Sequence, residues 1–119
     1  MEPVILVADD AKFMRKVIRK ALSEAGYENI VEAGDGRDVV KLYQEYHPAL
    51  VLLDITMPGR SGLEVLGDLL REDENARVIM CSAIGQESVI AQAVNDGASD
   101  FIIKPFRPEE LQRLVRIYV

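Results

Sequence analysis

Five short apolar runs recur along the chain, and they constrain its fold more than any other feature of the sequence. They are rich in Val, Ile and Leu, and they occupy Val4–Ala8, Ile30–Ala33, Leu50–Leu53, Val78–Cys81 and Phe101–Ile103. Continuous apolar runs of this length are typical of strands that are buried on both faces, as the strands of a parallel sheet are. The sequence therefore predicts a parallel sheet with both faces covered.

Amphipathic helical patterns follow each of these runs. In each pattern, apolar residues recur three or four positions apart, and the second pattern covers about 37–46. In the other four, the apolar residues are Met14, Val17, Ile18, Ala21, Leu22 and Ala25 (first), Leu63, Leu66, Leu69 and Leu70 (third), Val89, Ile90, Ala93 and Val94 (fourth), and Leu111, Leu114, Val115 and Tyr118 (fifth). Gly26 and Gly97 are predicted to end the first and fourth helices, and Pro108 to begin the fifth. The second is predicted to end before His47–Pro48. Five strand–helix repeats predict one α/β domain over residues 1–119, with a doubly wound parallel sheet between helices.

Composition limits the classes of partner. The 119 residues fit one domain, and the single cysteine, Cys81, allows no disulfide within the chain, which fits a reducing cytoplasm. Twenty acidic against 14 basic residues give a net charge of −6, which disfavours direct binding to nucleic acid or an anionic membrane. The densest basic stretch falls on the polar side of the first helix: Lys12, Arg15, Lys16, Arg19 and Lys20. No apolar run approaches the roughly 20 residues that a membrane span needs.

Polar side chains stand where four of the predicted strands end. Asp9 and Asp10 follow the first strand, Asp54 the third, Ser82 the fourth and Lys104 the fifth. The carboxyl ends of parallel strands lie along one edge of a sheet, and ligands of open α/β sheets bind at that edge. We therefore expect three carboxylates, one hydroxyl and one ammonium group to converge there.

The charges of this group point to a divalent cation. Three carboxylates at close range repel one another, and one of them would take up a proton unless a cation were present. One Mg²⁺ together with Lys104 would neutralise them, and Mg²⁺ prefers hard oxygen ligands. Zinc would prefer histidine or cysteine, but His47 and Cys81 each stand alone in the sequence. The pattern therefore favours a magnesium-assisted phosphoryl site.

Asp54 is the best candidate for the group that accepts a phosphoryl group. An aspartate can form an acyl phosphate directly, and Asp54 ends the third strand, followed closely by the Pro58–Gly59 turn. Asp9 and Asp10 would then hold the metal. Lys104 would neutralise charge on the transferring oxygens, and Ser82 would donate a hydrogen bond to them.

Each of these residues also has a simpler interpretation when it is considered alone. Asp9–Asp10 could cap a helix, and Asp54 could be an ordinary turn aspartate. Lys104 could lie on the surface, and Ser82 could form a local hydrogen bond. Their joint placement at one sheet edge is what favours a functional site.

Five short motifs, taken in their order along the whole chain, resemble those of a known family. The motifs are Val7-Ala8-Asp9-Asp10, Leu53-Asp54-Ile55-Thr56-Met57-Pro58, Ser61-Gly62-Leu63-Glu64, Ser82-Ala83 and Lys104-Pro105-Phe106. A sequence with these motifs resembles the receiver domains of two-component response regulators. The segments Met80–Gln86 and Ala11–Arg15 also look like those of CheY-type chemotaxis regulators.

This resemblance implies a flavodoxin-like fold, a single five-stranded sheet in the order 2-1-3-4-5 flanked by five helices. It also implies that a histidine kinase supplies the phosphoryl group to Asp54. The protein would be a signalling protein that catalyses only its own phosphoryl transfer and dephosphorylation. The family adds a Mg²⁺ contact from the backbone carbonyl of Thr56 and a cis peptide bond before Pro105.

In the family, the output of the switch runs through a hydroxyl and an aromatic side chain, here Ser82 and Phe101. Their movement would reshape the surface of the fourth helix, fifth strand and fifth helix. Expected partners are the kinase, a flagellar switch protein and a phosphatase, with the chain acting as a monomer. Thr56 and Ile84 occupy positions that tune dephosphorylation in the family. Ile84 cannot position water by hydrogen bonding, so we expect slow hydrolysis.

Three other functions are weighed against this interpretation. A flavin or nucleotide binder would need a Gly/Ser/Thr-rich loop after the first strand, where this chain has Asp9–Lys12. An aspartyl phosphatase would typically carry an Asp-x-Asp pattern there, and this pattern is absent. The chain could also be the receiver fragment of a larger regulator with a DNA-binding or enzymatic domain. We expect the free-standing, chemotaxis-like form.

Overall fold

A single parallel sheet forms the centre of residues 2–119, which the computed structural model describes. Its strands are Ile5–Ala8 (β1), Ile30–Ala33 (β2), Leu50–Asp54 (β3), Val78–Ala83 (β4) and Asp100–Lys104 (β5). They lie in the order β2-β1-β3-β4-β5, and every neighbouring pair is parallel. The predicted sheet and its order are therefore confirmed.

Five helices alternate with the strands in this part of the chain. They are Lys12–Glu24 (α1), Val39–Tyr46 (α2), Gly62–Glu72 (α3), Glu87–Asp96 (α4) and Pro108–Tyr118 (α5). Gly26 and Gly97 take left-handed backbone conformations just after α1 and α4, with φ of 94° and 117°, as glycines that end helices do. In the described chain, none of these helices has both the length and the apolar character needed to cross a membrane.

The start of the second helix differs from the prediction. A helix was expected from about residue 37, but Gly36–Asp38 form a short 3₁₀ helix that leads into α2. The side chain of Asp35 accepts a hydrogen bond from the N–H of Arg37 at 2.8 Å, which holds this tighter turn at its start. The 3₁₀ turn lies between β2 and α2, at the same edge of the sheet as the carboxyl ends of the strands.

The two faces of the sheet bury separate apolar clusters. Alternate strand residues explain this division, because successive side chains of a strand point to opposite faces. Ile5 and Val7 of β1 pack with residues of α1 and α5, whereas Leu6 and Ala8 pack with residues of α2, α3 and α4. Both faces of β1, β3 and β4 are therefore covered, which is why their sequences are apolar without alternation.

The register of the strands brings their carboxyl ends level. Ala8 lies opposite Leu53, so the residues that follow them, Asp9 and Asp54, lie side by side at the carboxyl ends of β1 and β3. On the other side of β3, Asp54 lies opposite Cys81, one residue before Ser82. The parallel register therefore gathers the polar strand ends at one edge.

Candidate functional site

Three carboxylates meet at this edge of the sheet. Asp9, Asp10 and Asp54 each offer one oxygen, and these oxygens all lie within 4.8 Å of one another. Asp9 and Asp54 are only 1% and 8% exposed, whereas Asp10 is exposed to solvent. The structure thus brings together the three predicted carboxylates in a cluster that is buried on one side and open at Asp10.

Lys104 reaches this cluster from the end of β5. Its Nζ lies 2.6 Å from Oδ2 of Asp9 and 3.5 Å from Oδ2 of Asp54. The peptide bond between Lys104 and Pro105 is cis, as the family resemblance implied. The ammonium of Lys104 therefore pairs with two of the three carboxylates, and the cluster keeps an excess of negative charge.

Backbone and side-chain donors hold the carboxylates in place. Asp9 Oδ1 accepts a hydrogen bond from the N–H of Ala11 at 2.9 Å, and Asp54 Oδ1 accepts one from the N–H of Thr56 at 3.2 Å. Arg15 Nη1 donates to the backbone oxygen of Asp9 at 2.6 Å. The cap residue of α1 is Ala11, without a side-chain cap bond, so the simpler interpretation of Asp9–Asp10 as a helix cap is wrong.

Ser82 contributes a buried hydroxyl that has no partner. It is fully buried, and within residues 2–119 no protein group forms a hydrogen bond with its Oγ. A buried polar atom without a partner costs stability, and in a native structure it points to a bound ligand, to strain or to a functional role. Ser82 therefore has a hydrogen bond available for a group that enters from outside the chain.

The geometry fits a hard divalent cation beside an anionic ligand, since the donor set holds carboxylate oxygens and no nitrogen or sulfur ligand. A model of the response regulator receiver domain family matches residues 5–116. The chain belongs to this family. Receiver domains act in phosphorylation-dependent signalling, and this chain is accordingly a signalling protein.

Relatives of the receiver domain cover nearly all of its length. The chemotaxis protein CheY of Thermotoga maritima is 42% identical over 107 residues, which are 90% of this chain and 89% of that protein. Protein CcdB of Bacillus subtilis is 46% identical over 111 residues, 93% of this chain and 92% of that protein. In the crystal structure of the CheX–CheY–BeF₃–Mg complex from Borrelia burgdorferi, the matched chain has a TM-score of 0.89 and 35% identity, with 98% of this chain and 89% of that chain covered.

Charge interactions set the protonation of the receiver's two central groups. Burial raises the pKa of Asp54, and the charge of Asp9 raises it further, while Lys104 and the N–H of Thr56 oppose the shift. Burial alone would lower the pKa of Lys104, but its hydrogen bond to Asp9 and the charge of Asp54 outweigh burial and raise it. Lys104 is therefore a stable ammonium group, and additional positive charge would favour the ionised form of Asp54.

Cys81 lies next to the site but does not contribute a ligand. It is the fully buried neighbour of Ser82 in β4, and burial raises the pKa of its thiol to about 12. A metal-ligating cysteine must be a thiolate, and this one stays protonated at neutral pH. Cys81 is thus a small buried apolar residue.

A glycine lets α3 pack directly under Asp54. A Cβ at Gly62 would lie 2.5 Å from the backbone oxygen of Asp54 and 2.5 Å from the Cα of Ile55, which no real side chain tolerates. Ser61 and Glu64 form a reciprocal capping box at the start of this helix. The Ser61–Glu64 motif of the sequence is therefore explained by the close support that it gives to the loop after β3.

Two supporting residues were missed by the sequence analysis. Gly36 donates its N–H to the backbone oxygen of Pro58 at 3.0 Å, and a Cβ at Gly36 would lie 2.1 Å from the backbone oxygen of Arg60. Arg15 was assigned only to a solvated basic face. Such contacts between distant loops leave little trace in the sequence, although a glycine directly after Asp35 is a weak signal for a close approach.

Phe101, the predicted aromatic switch residue, lies at the surface. It is 40% exposed and lines a shallow apolar groove with Ile90, Val94 and Ile103. Its neighbours in this groove come from α4 and β5. Phe101 therefore occupies an outward position in this structure, on the surface that the family resemblance assigns to output.

Proposed function

We propose that Asp54 is the phosphoacceptor of this receiver domain and that it works with Mg²⁺ bound by Asp9, Asp10, Asp54 and the backbone carbonyl of Thr56. The observation that carries the proposal is the buried Asp54 carboxylate within an oxygen-only cluster, next to the ammonium of Lys104. The unpartnered Ser82 hydroxyl adds a hydrogen-bond donor at the same edge. Phosphoryl transfer requires this combination of nucleophile, cations and donors.

In the proposed reaction, an oxygen of Asp54 forms a bond to phosphorus while the bond between phosphorus and the donor atom breaks. The donor of the phosphoryl group is the phosphohistidine of a kinase. Lys104 balances the negative charge of the phosphoryl oxygens, and the hydroxyl of Ser82 donates a hydrogen bond to one of them. When it is bound, Mg²⁺ supplies further positive charge to these oxygens and reduces the repulsion among the carboxylates.

The proposed output follows from the added charge. Phosphorylation adds about −1.5 to −2 charges at neutral pH, and Ser82 would move to pair with them. The space that Ser82 vacates would let Phe101 turn inward and change the groove between α4 and β5. A groove lined by exposed apolar side chains is suited to a protein partner whose affinity then depends on phosphorylation.

The CheY relatives support chemotaxis as the pathway. In this proposal, residues 1–119 act in the cytoplasm as one monomeric receiver domain. Its partners are a chemotaxis histidine kinase, a flagellar switch protein and a phosphatase. The resemblance to CheY of Thermotoga maritima over 90% of the chain supports this choice, and the CheX–CheY complex of Borrelia burgdorferi supports a further protein partner.

Treatment with a small acyl phosphate tests the proposal directly. In the presence of Mg²⁺, the intact mass of the protein should increase by one phosphoryl group, and chelation of the metal should prevent the increase. Hydroxylamine should remove the group, because it cleaves acyl phosphates and leaves phosphoesters of serine or threonine intact. Absence of labelling, or labelling that resists hydroxylamine, would contradict the proposal.

The lifetime of the phosphoryl group should depend on Ile84. This side chain is 75% exposed in the loop between β4 and α4, and it cannot hold an attacking water by hydrogen bonding. Ile84→Glu is expected to shorten the lifetime roughly threefold to tenfold, the effect of about one net hydrogen bond. Decay of the labelled protein measures the lifetime, with Ile84→Met as the apolar control. An unchanged lifetime in Ile84→Glu would show that this position does not limit hydrolysis.

A further inference from the structure

The side chain of Gln86 joins the two loops that carry Asp54 and Ser82. Its Oε1 accepts a hydrogen bond from the backbone N–H of Ala83 at 2.7 Å, and its Nε2 donates to Oγ1 of Thr56 at 3.3 Å. Ala83 is the residue directly after Ser82. The amide of one side chain therefore links the end of β4 to the loop after β3.

Each end of this hydrogen-bonded bridge is at a residue that directly adjoins a residue of the site. Thr56, which accepts the hydrogen bond of Gln86, donates its own N–H to Asp54 Oδ1 at 3.2 Å. At the other end, Ala83 is covalently attached to Ser82, whose Oγ is buried without a partner. The bridge thus sets the spacing between the loop of the carboxylate and the strand end that carries the unpaired hydroxyl.

The side chain of Gln86 does not cap the helix that it precedes. It occupies the N-cap position of α4, yet its side chain forms no capping hydrogen bond there. Gly85, directly before it, has a φ of 96°, although a Cβ at Gly85 would meet no atom within 4 Å. This glycine is therefore needed for its left-handed backbone and not for close packing, and that backbone turns the chain back so that Gln86 reaches Ala83.

We propose that Gln86 is a positioning residue whose bridge holds the end of β4 in the unphosphorylated arrangement and thereby sets how readily the site accepts a phosphoryl group. The inference rests on the proposed function of Asp54. If the Ser82 hydroxyl moves toward a phosphoryl group on Asp54, Ala83 moves with it relative to Thr56. An amide of fixed length cannot keep both hydrogen bonds through that movement, so the bridge opposes it.

Loss of the bridge should make the phosphorylated arrangement easier to reach. A ligand that binds one arrangement gains apparent affinity when the competing arrangement loses stability. Gln86→Ala is therefore expected to lower the half-saturating concentration of beryllofluoride, an analogue of the aspartyl phosphate, about threefold to tenfold in the presence of Mg²⁺. The rate of labelling by a small acyl phosphate should increase by a similar factor. The hydrolysis rate of the phosphoryl group should stay unchanged.

The full chain is titrated with beryllofluoride and Mg²⁺, and the amide NMR signals of Ser82 and Ala83 report binding. Gln92→Ala is the matched control, because Gln92 is an exposed residue of α4 whose side chain donates to Asp96 within the same helix. Thr56→Val removes the other end of the bridge and keeps the backbone carbonyl. It should shift half-saturation in the same direction as Gln86→Ala, and the double variant should add little to either change.

The outcomes separate the bridge from the proposed phosphoacceptor. Tighter binding in Gln86→Ala, with Gln92→Ala unchanged, supports the bridge, since a purely structural defect would weaken binding and lower the melting temperature. Unchanged or weaker binding in Gln86→Ala would overturn it, as would a change confined to the hydrolysis rate. If the unaltered protein fails to bind beryllofluoride, the proposed role of Asp54 fails as well.

Discussion

Asp54→Asn is expected to abolish phosphoryl labelling by a small acyl phosphate. The amide of asparagine lacks the negative oxygen that attacks phosphorus, whereas its shape and its acceptor oxygen are retained. The N–H of Thr56, which donates to Asp54 Oδ1, therefore keeps a partner. Intact mass after incubation with the phosphodonor and Mg²⁺ measures the loss, which should reach the detection limit.

The same substitution should leave the fold intact. Burial disfavours the charged form of Asp54 and raises its pKa, so a neutral isostere relieves an unfavourable charge. We expect the melting temperature of Asp54→Asn without Mg²⁺ to equal or exceed that of the unaltered protein. Asp38→Asn, at an exposed position before α2, is the control and should label fully. Full labelling of Asp54→Asn would mean that another carboxylate accepts the group.

Lys104→Ala should separate metal binding from phosphoryl transfer. The substitution removes the ammonium that lies 2.6 Å from Asp9 and 3.5 Å from Asp54, and within residues 2–119 it leaves these two carboxylates without an ion-pair partner. In this variant, Mg²⁺ would supply the positive charge that Lys104 supplies in the unaltered protein. The Mg²⁺ concentration at half-saturation should therefore fall. Labelling by a small acyl phosphate should slow by roughly 10²–10³, the usual effect of removing one preorganised group that stabilises charge in a transition state.

The change in Mg²⁺ affinity is measured from the melting temperature over a Mg²⁺ titration, because a ligand that binds only the folded state raises the melting temperature. Without Mg²⁺, the melting temperature of Lys104→Ala should be lower than that of the unaltered protein, because loss of the ammonium leaves the buried Asp9 carboxylate without its ion-pair partner. Lys20→Ala, on the exposed face of α1, should change none of these quantities. Weaker Mg²⁺ binding together with unimpaired labelling would contradict the assigned role of Lys104.

The local features of the sequence predicted most of the secondary structure for identifiable reasons. Gly26 and Gly97 mark helix ends because few other residues take a left-handed backbone conformation at low cost. Pro108 marks a helix start because the N–H that proline lacks has no partner in the first turn of a helix. The second helix was placed from about residue 37 because amphipathic periodicity does not distinguish a 3₁₀ turn from the first turn of an α-helix. The hydrogen bond from the N–H of Arg37 to the side chain of Asp35 decides that turn, and side-chain caps of this kind can only be suspected from sequence.

The candidate site was predictable because its residues stand at strand ends. In a parallel sheet, residues at the carboxyl ends of strands converge whatever their separation in sequence, so Asp9 and Lys104 meet although 95 positions separate them. The strand order itself came from the family resemblance, because periodicity leaves several right-handed orders open. The roles proposed for Asp54, Ser82 and Phe101 remain predictions.

The sequence by itself determined the parallel sheet, the edge at which the acidic residues gather and the choice of Asp54 as the phosphoacceptor candidate. These features depend on burial patterns and on short-range signals that each residue carries. Only the tertiary structure decided that Gly36 lies against Arg60, that the Ser82 hydroxyl has no partner among the described residues and that Gln86 joins Ala83 to Thr56. Such contacts depend on the relative placement of separate loops to within an ångström, and no pattern along one chain encodes that distance. For Asp54, the sequence therefore indicated a candidate nucleophile, and the fold showed which groups lie around its carboxylate.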